Sequence, residues 1–136
     1  MDAMGGDYAP VEPVKGAVEA VNADERVKVQ LVGQVDVIEK ELQKYTYPKE
    51  RVEIVPATEI IETGEPPVNA IRHKKDSSIV VGMKKVRCGE ADAFVSSGST
   101  GAVLVGGQTI VGRIKGGDAD PDERRCIPSD RLRCEC

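Results

Sequence analysis

Short β-branched runs separated by stretches of helical spacing constrain this chain more than any other feature. Residues 27–33 alternate, with Val27, Val29, Leu31 and Gly33 on one face; Val52-Glu53-Ile54-Val55 is a second run, closed by Pro56; Ala91-Asp92-Ala93-Phe94-Val95 is a third. Between the first two, Val35, Ile38 and Leu42 form one helical stripe. Ahead of them, Val11, Val14, Ala17, Val18 and Val21 form another, with prolines only in its first turns, where a helix tolerates them. Residues 79–87 read as a helix that Ser77 or Ser78 can cap, 68–73 as a shorter one, and 58–67, with Gly64, Pro66 and Pro67, as a loop. Strands alternating with helices predict an α/β fold. The architecture expected is Rossmann-like, three α/β/α layers around a mainly parallel sheet with right-handed crossovers.

Ligands of such a sheet gather at the carboxyl ends of its strands. The run 91–95 opens at such an end into Ser96-Ser97-Gly98-Ser99-Thr100-Gly101, after which small and apolar residues continue as a helix to about Ile114. The first N–H groups of a helix have no carbonyl partner within it and attract anions. Gly98, Ser99, Thr100 and Gly101 are therefore candidates for holding a phosphate or carboxylate; a serine-capped helix start without a ligand uses the same residues. Gly5-Gly6-Asp7 forms a second glycine loop expected at the same sheet edge, with Asp2 close by. Its glycines let backbone approach a ligand, and Asp7 either caps the following helix or orients a substrate group.

Composition removes several function classes. With 136 residues, 40% hydrophobic and 31% charged, the chain has the balance of one globular domain. A net charge of −4, no Trp and one Phe argue against a nucleic-acid binder, which needs a cationic surface and stacking platforms. The long uncharged run after Asp92 is too rich in Gly, Ser and Thr for a membrane span, and no secretory leader pattern opens the chain, so a cytoplasmic setting is expected. Cys126, Cys134 and Cys136 crowd the last eleven residues, and with a single histidine in the chain a tetrahedral zinc site is not expected. Cys88, before Gly89 at a helix end, reads as a packing residue. Residues 117–136 are polar and charged with no period that buries a face, and are expected to be disordered.

Three segments together resemble the N-terminal part of the PlsX family, the acyl-acyl-carrier-protein:phosphate acyltransferases of bacterial phospholipid synthesis. They are Asp2-Ala3-Met4-Gly5-Gly6-Asp7 with Ala9-Pro10, then Arg72-His73-Lys74-Lys75-Asp76-Ser77-Ser78, then residues 91–102 running on to Ile110-Val111-Gly112-Arg113-Ile114-Lys115-Gly116. The resemblance covers residues 2–116, which it marks as the N-terminal part of an acyltransferase domain. Family members begin with a further apolar strand, commonly carry Asn where this chain has Ser99, and continue past residue 116. It implies transfer of an acyl group from acyl carrier protein to inorganic phosphate, giving acyl phosphate, without a cofactor or metal. Phosphate or substrate would lie against Gly5, Gly6, Asp7, Gly98, Ser99, Thr100 and Gly101. No residue is assigned to catalysis; His73 has no visible partner that would make it a general base.

The basic cluster Arg72, Lys74 and Lys75 has three readings: docking of the acidic carrier protein, attraction of phosphate or anionic lipid, or a solvated helix end. A homodimer, and association with a membrane glycerol-3-phosphate acyltransferase that would bring the protein to the membrane periphery, are further implications of the resemblance. The competing function is a phosphate- or nucleotide-binding Rossmann-type fragment without catalysis. Against a dinucleotide site, no Gly-x-Gly-x-x-Gly follows a strand with an acidic residue about 20 positions on.

Overall fold

The computed structural model describes residues 1–112. The tail expected at 117–136, the domain boundary at 116 and the helix end at Ile114 lie outside the described residues. Helix α1 (Val11–Ala23) precedes strand β1 (Val29–Gly33), helix α2 (Val35–Leu42) and strand β2 (Val52–Pro56). Helices α3 (Pro67–His73), α4 (Ser78–Arg87) and α5 (Thr100–Gly106) follow, and one wide turn, Gly107–Val111, prolongs α5. The apolar stripes expected from spacing become the buried faces of α1 (Val14, Ala17, Val18, Val21) and α2 (Ile38, Leu42), except that Val11 and Val35, at the first position of each helix, are exposed.

β1 and β2 pair in parallel, from Val29 opposite Val52 to Gly33 opposite Pro56. Residues 1–3 add a third line beside β1. The Ala3 N–H donates to the Val32 carbonyl at 3.0 Å and the Val32 N–H to the Met1 carbonyl at 2.9 Å. The Met1 ammonium donates to the Gln30 carbonyl at 2.6 Å, and burial holds its pKa below the ordinary value. On the far side the Asp2 N–H donates to the Val95 carbonyl at 2.9 Å. The lateral order is therefore β2, β1, residues 1–3, and the stretch reaching Val95.

Two strand expectations are corrected. Residues 91–95 do not form a regular strand, although Val95 takes the bond from Asp2. Val95 is the residue of this run that bonds to the line 1–3, and among the described residues the others form no ladder. β1 starts at Val29 rather than Val27, because the Val27 N–H turns back onto the Asp24 carbonyl at 3.2 Å.

Three layers follow from where successive strand residues point. Leu31 packs with Ala3, Val14, Ala17, Val18, Ile38 and Leu42, beneath α1 and α2. Its neighbour Val32 packs with Val55, Ala57 and, from α4, Val81. Adjacent strand residues face opposite sides, so helices cover both faces of this parallel pair. A separate cluster, Ile61, Ala70, Ile71, Ile79, Val80, Met83 and Ala102, joins α3, α4 and α5. Among the described residues no helix is long and apolar enough to cross a membrane.

Ser77, not Ser78, caps α4: its hydroxyl accepts from the Val80 N–H and donates to the Lys74 carbonyl at 2.8 Å. The loop before α3 is fastened to this same corner. Thr58 donates through its N–H and its hydroxyl to the Asp76 carboxylate, and Lys74 Nζ bonds the Ile60 carbonyl and Glu65 Oε1. The bonds from Thr58 hold the Asp76 carboxyl below the usual carboxylate range, and the bond from Lys74 does the same for Glu65.

Two predictions follow from this packing. Leu31→Ala, at a fully buried position, should destabilise the chain by about 2–5 kcal/mol in denaturant unfolding. Carboxyls with depressed pKa contribute stability that is present above their ordinary values, 4.5 for Glu65 and 3.8 for Asp76, and is lost as pH falls through the lowered folded values. Thermal melts run from neutral to acid pH should show a smaller fall in Tm for the double variant Glu65→Gln, Asp76→Asn than for the parent.

Candidate functional site

The lateral order reverses between residues 1–3 and Val95: the chain builds outward through β1 and β2, then returns to the opposite side of its own start. In open α/β sheets such a reversal leaves a crevice outside the carboxyl ends of the two lines involved. Here the loop 4–7 leaves one line and the loop 96–99 leaves the other, and both are built by short-range hydrogen bonds. Asp2 Oδ1 accepts the Met4 N–H at 3.0 Å, and Ser96 Oγ accepts the Gly98 N–H at 3.0 Å. Each is a side-chain acceptor two residues ahead of its donor, a geometry that Asp and Ser supply readily.

The two turns are then tied to each other. Ser96 Oγ donates to Asp2 Oδ2 at 2.7 Å, and Ser97 Oγ donates to the Gly5 carbonyl at 2.8 Å. Gly5 and Gly98 meet backbone to backbone. A Cβ on Gly5 would stand 2.4 Å from Asp2 Oδ2 and 2.9 Å from the Gly98 nitrogen, and one on Gly98 would stand 3.1 Å from the Gly5 Cα. Gly6 adopts φ +98°, a conformation that L side chains rarely take. Glycine is required at these places by contact and by backbone angle.

A cleft of about 190 Å³ opens beside this junction, lined by Gly5, Gly6, Asp7, Tyr8, Glu12 and Ser97 among others. Asp7 is exposed on its wall. It does not cap the following helix: α1 starts from Pro10, with no side-chain cap bond. The cleft therefore carries two carboxylates, Asp7 and Glu12, and no lysine or arginine among its lining residues.

At the other loop, Ser99 is buried and caps α5, its Oγ accepting the Ala102 N–H at 3.3 Å. That hydroxyl is committed to the helix, and the Gly98 N–H is committed to Ser96. The groups left to a ligand are the N–H groups of Thr100 and Gly101, which have no upstream carbonyl within the helix, and the exposed Thr100 hydroxyl. Gly101 packs against α3, where a Cβ would stand 2.6 Å from Pro67 Cγ.

The glycine loops of the two candidate segments thus meet, but the basic cluster stands apart. Pro67, at the start of α3, abuts α5, whereas Arg72 lies near the other end of that helix and Lys74 and Lys75 lie just beyond it. Lys74 is taken up by Glu65 and Ile60; Arg72 and Lys75 are exposed. Asp2 and Ser96 are the site residues that sequence reasoning underweighted. The available signal was an Asp three residues before a Gly-Gly pair and a Ser two residues before Gly98, each able to nucleate a turn.

Over most of its length the chain is similar to known proteins. The family model described as fatty acid synthesis protein matches residues 1–120. The chain is 53% identical over 119 residues to a protein of Alkaliphilus oremlandii named phosphate acyltransferase, covering 87% of this chain and 35% of that relative. It is 50% identical over 118 residues to the phosphate acyltransferase of Clostridioides difficile, covering 87% and 34%. With that of Clostridium beijerinckii it shares 50% over 116 residues, covering 85% and 35%. The chain spans about a third of the length of these curated relatives. A match of this extent, over the residues that build both loops, makes the chain a member of the fatty acid synthesis protein family.

Proposed function

We propose that this chain forms the phosphate-holding part of an acyltransferase that moves a fatty acyl group from acyl carrier protein to inorganic phosphate, as a step of phospholipid synthesis. The observation that carries the reading is the meeting of two glycine loops, 4–7 and 96–101, at the reversal point of the sheet. Relatives about half identical over this whole region and named phosphate acyltransferase support it.

In this reaction a phosphate oxygen attacks the thioester carbonyl carbon, a tetrahedral oxyanion forms, and the carbon–sulfur bond breaks to release the carrier thiolate, which takes up a proton. Phosphate is itself the nucleophile, so no covalent enzyme intermediate and no cofactor is needed. The protein holds the dianion against the thioester and supplies donors to the oxyanion. Thr100 and Gly101 offer N–H groups for the holding role, while Gly5, Gly6 and Gly98 let the two loops close against each other beneath them. Asp7, beside Glu12, would orient the carrier arm rather than bind phosphate.

Arg72 and Lys75, both exposed, suit docking of the acidic carrier protein, with Lys74 excluded by its ion pair. A homodimer, a cytoplasmic location with peripheral membrane contact, and hand-over to a membrane glycerol-3-phosphate acyltransferase complete the proposal. A second reading is phosphate binding without turnover, for which the Thr100 and Gly101 N–H groups suffice and no acid or base is needed.

The test is phosphate-dependent release of carrier thiol from acyl-acyl-carrier protein. No release above background, with phosphate binding retained, would replace the first reading by the second. Where release is seen, Gly5→Ala should lower it on the order of a hundredfold, because the new Cβ drives the two loops apart. Charge reversal at Arg72 and Lys75 should slow association with the carrier protein and flatten its salt dependence, as measured by stopped-flow binding at several ionic strengths.

A further inference from the structure

Asp2 touches neither the cleft nor the groups offered to a ligand, and the geometry points to a different role: we propose that it is a positioning residue for phosphate. Its carboxylate, acting through Ser96 Oγ, holds Gly98 and the start of α5 in place. The inference rests on the phosphate site proposed above.

Asp2 is 1% exposed, and a buried carboxylate is costly unless its oxygens accept hydrogen bonds. Both do, from opposite loops: Oδ1 from the Met4 N–H and Oδ2 from the Ser96 hydroxyl. A serine hydroxyl has one proton. Given to Asp2, that proton leaves the oxygen lone pairs of Ser96 facing the Gly98 N–H, which donates to them at 3.0 Å. The direction of the whole relay is therefore set by a group that accepts twice. An amide cannot replace it. In either orientation an asparagine at this position turns its NH₂ toward the Met4 N–H or toward the Ser96 hydroxyl, so one of the two bonds is lost or reversed.

Gly98 stands two residues before Thr100, and its Cα region already touches Gly5. Loss of the relay releases the backbone that aims the Thr100 and Gly101 N–H groups, while the Ser97–Gly5 bond still holds the loops in the same neighbourhood. A purely structural residue would change stability alone; a positioning residue changes phosphate affinity together with the hydrogen bond of Gly98.

The test uses the 136-residue chain, inorganic phosphate as the probe titrated by phosphorus NMR, and amide hydrogen exchange at Met4 and Gly98. Asp2→Asn and Ser96→Ala should each weaken phosphate binding about tenfold or more, the scale of a lost hydrogen bond to a charged group, and each should speed exchange at Gly98. Ser96→Thr, which keeps the hydroxyl, should stay near the parent, and the double variant Asp2→Asn, Ser96→Ala should be no weaker than the worse single. If Asp2→Asn does not fold by circular dichroism, Ser96→Ala reads the same relay from its other end. Phosphate affinity within twofold of the parent in a folded variant, or weakened affinity with Gly98 exchange unchanged, would overturn the proposal. A parent chain that binds no phosphate would instead overturn the phosphate site on which it rests.

Discussion

Successive residues of an extended chain send their N–H groups in opposite directions, and the arrangement depends on that alternation at Asp2 and Ala3. Ala3 bonds Val32 on one side and Asp2 bonds Val95 on the other. Between those two bonds the chain start becomes an interior line of the sheet. The unit α1–β1–α2–β2 is set to one side and the segment that leads into α5 to the other. The side chains obey the same rule: Ala3 enters the core under α1, while the Asp2 carboxylate is left at the edge where the loops emerge.

Everything at the candidate site inherits its spacing from that line. Two turns of similar construction leave neighbouring positions, and what sets their separation is the absence of a Cβ at Gly5 and Gly98. Polar groups that would otherwise be buried without partners are satisfied across the gap, hydroxyl to carboxylate and hydroxyl to carbonyl. The result is a rigid floor made almost wholly of backbone, with the exposed side chains Asp7, Tyr8, Glu12 and Thr100 around it.

Local features were legible in the sequence where a short-range rule decides them. The spacing of Val14, Ala17, Val18 and Val21 identified α1, the Ser77-Ser78 pair located the start of α4, and Ser99 capped α5 as its residue type suggested. Legibility failed where a partner distant in the chain decides the outcome. Residues 91–95 have the composition of a strand, yet only Val95 meets a backbone partner, the Asp2 N–H, among the described residues. Lys74 reads as one of a run of cations until Glu65 and the Ile60 carbonyl are placed beside it. Asp7 reads equally as a helix cap or a substrate contact, and the turn of residues 7–10 leaves Pro10, not Asp7, at the start of α1, with no side-chain cap bond. Asp2 escaped emphasis for the plainest reason, since nothing near it in sequence announces Ser96.

Those two residues lie 94 positions apart. The cost of closing so long a loop rises slowly with length, but it must be met before the contact returns anything. As the chain leaves the ribosome, α1, β1, α2 and β2 can all form and pack while the site still has only half of its floor. On the proposed reading, anion affinity in this region appears late and all at once, when residue 96 reaches residue 2. It would serve as a chemical marker of completed assembly that no measure of helix or strand content could replace.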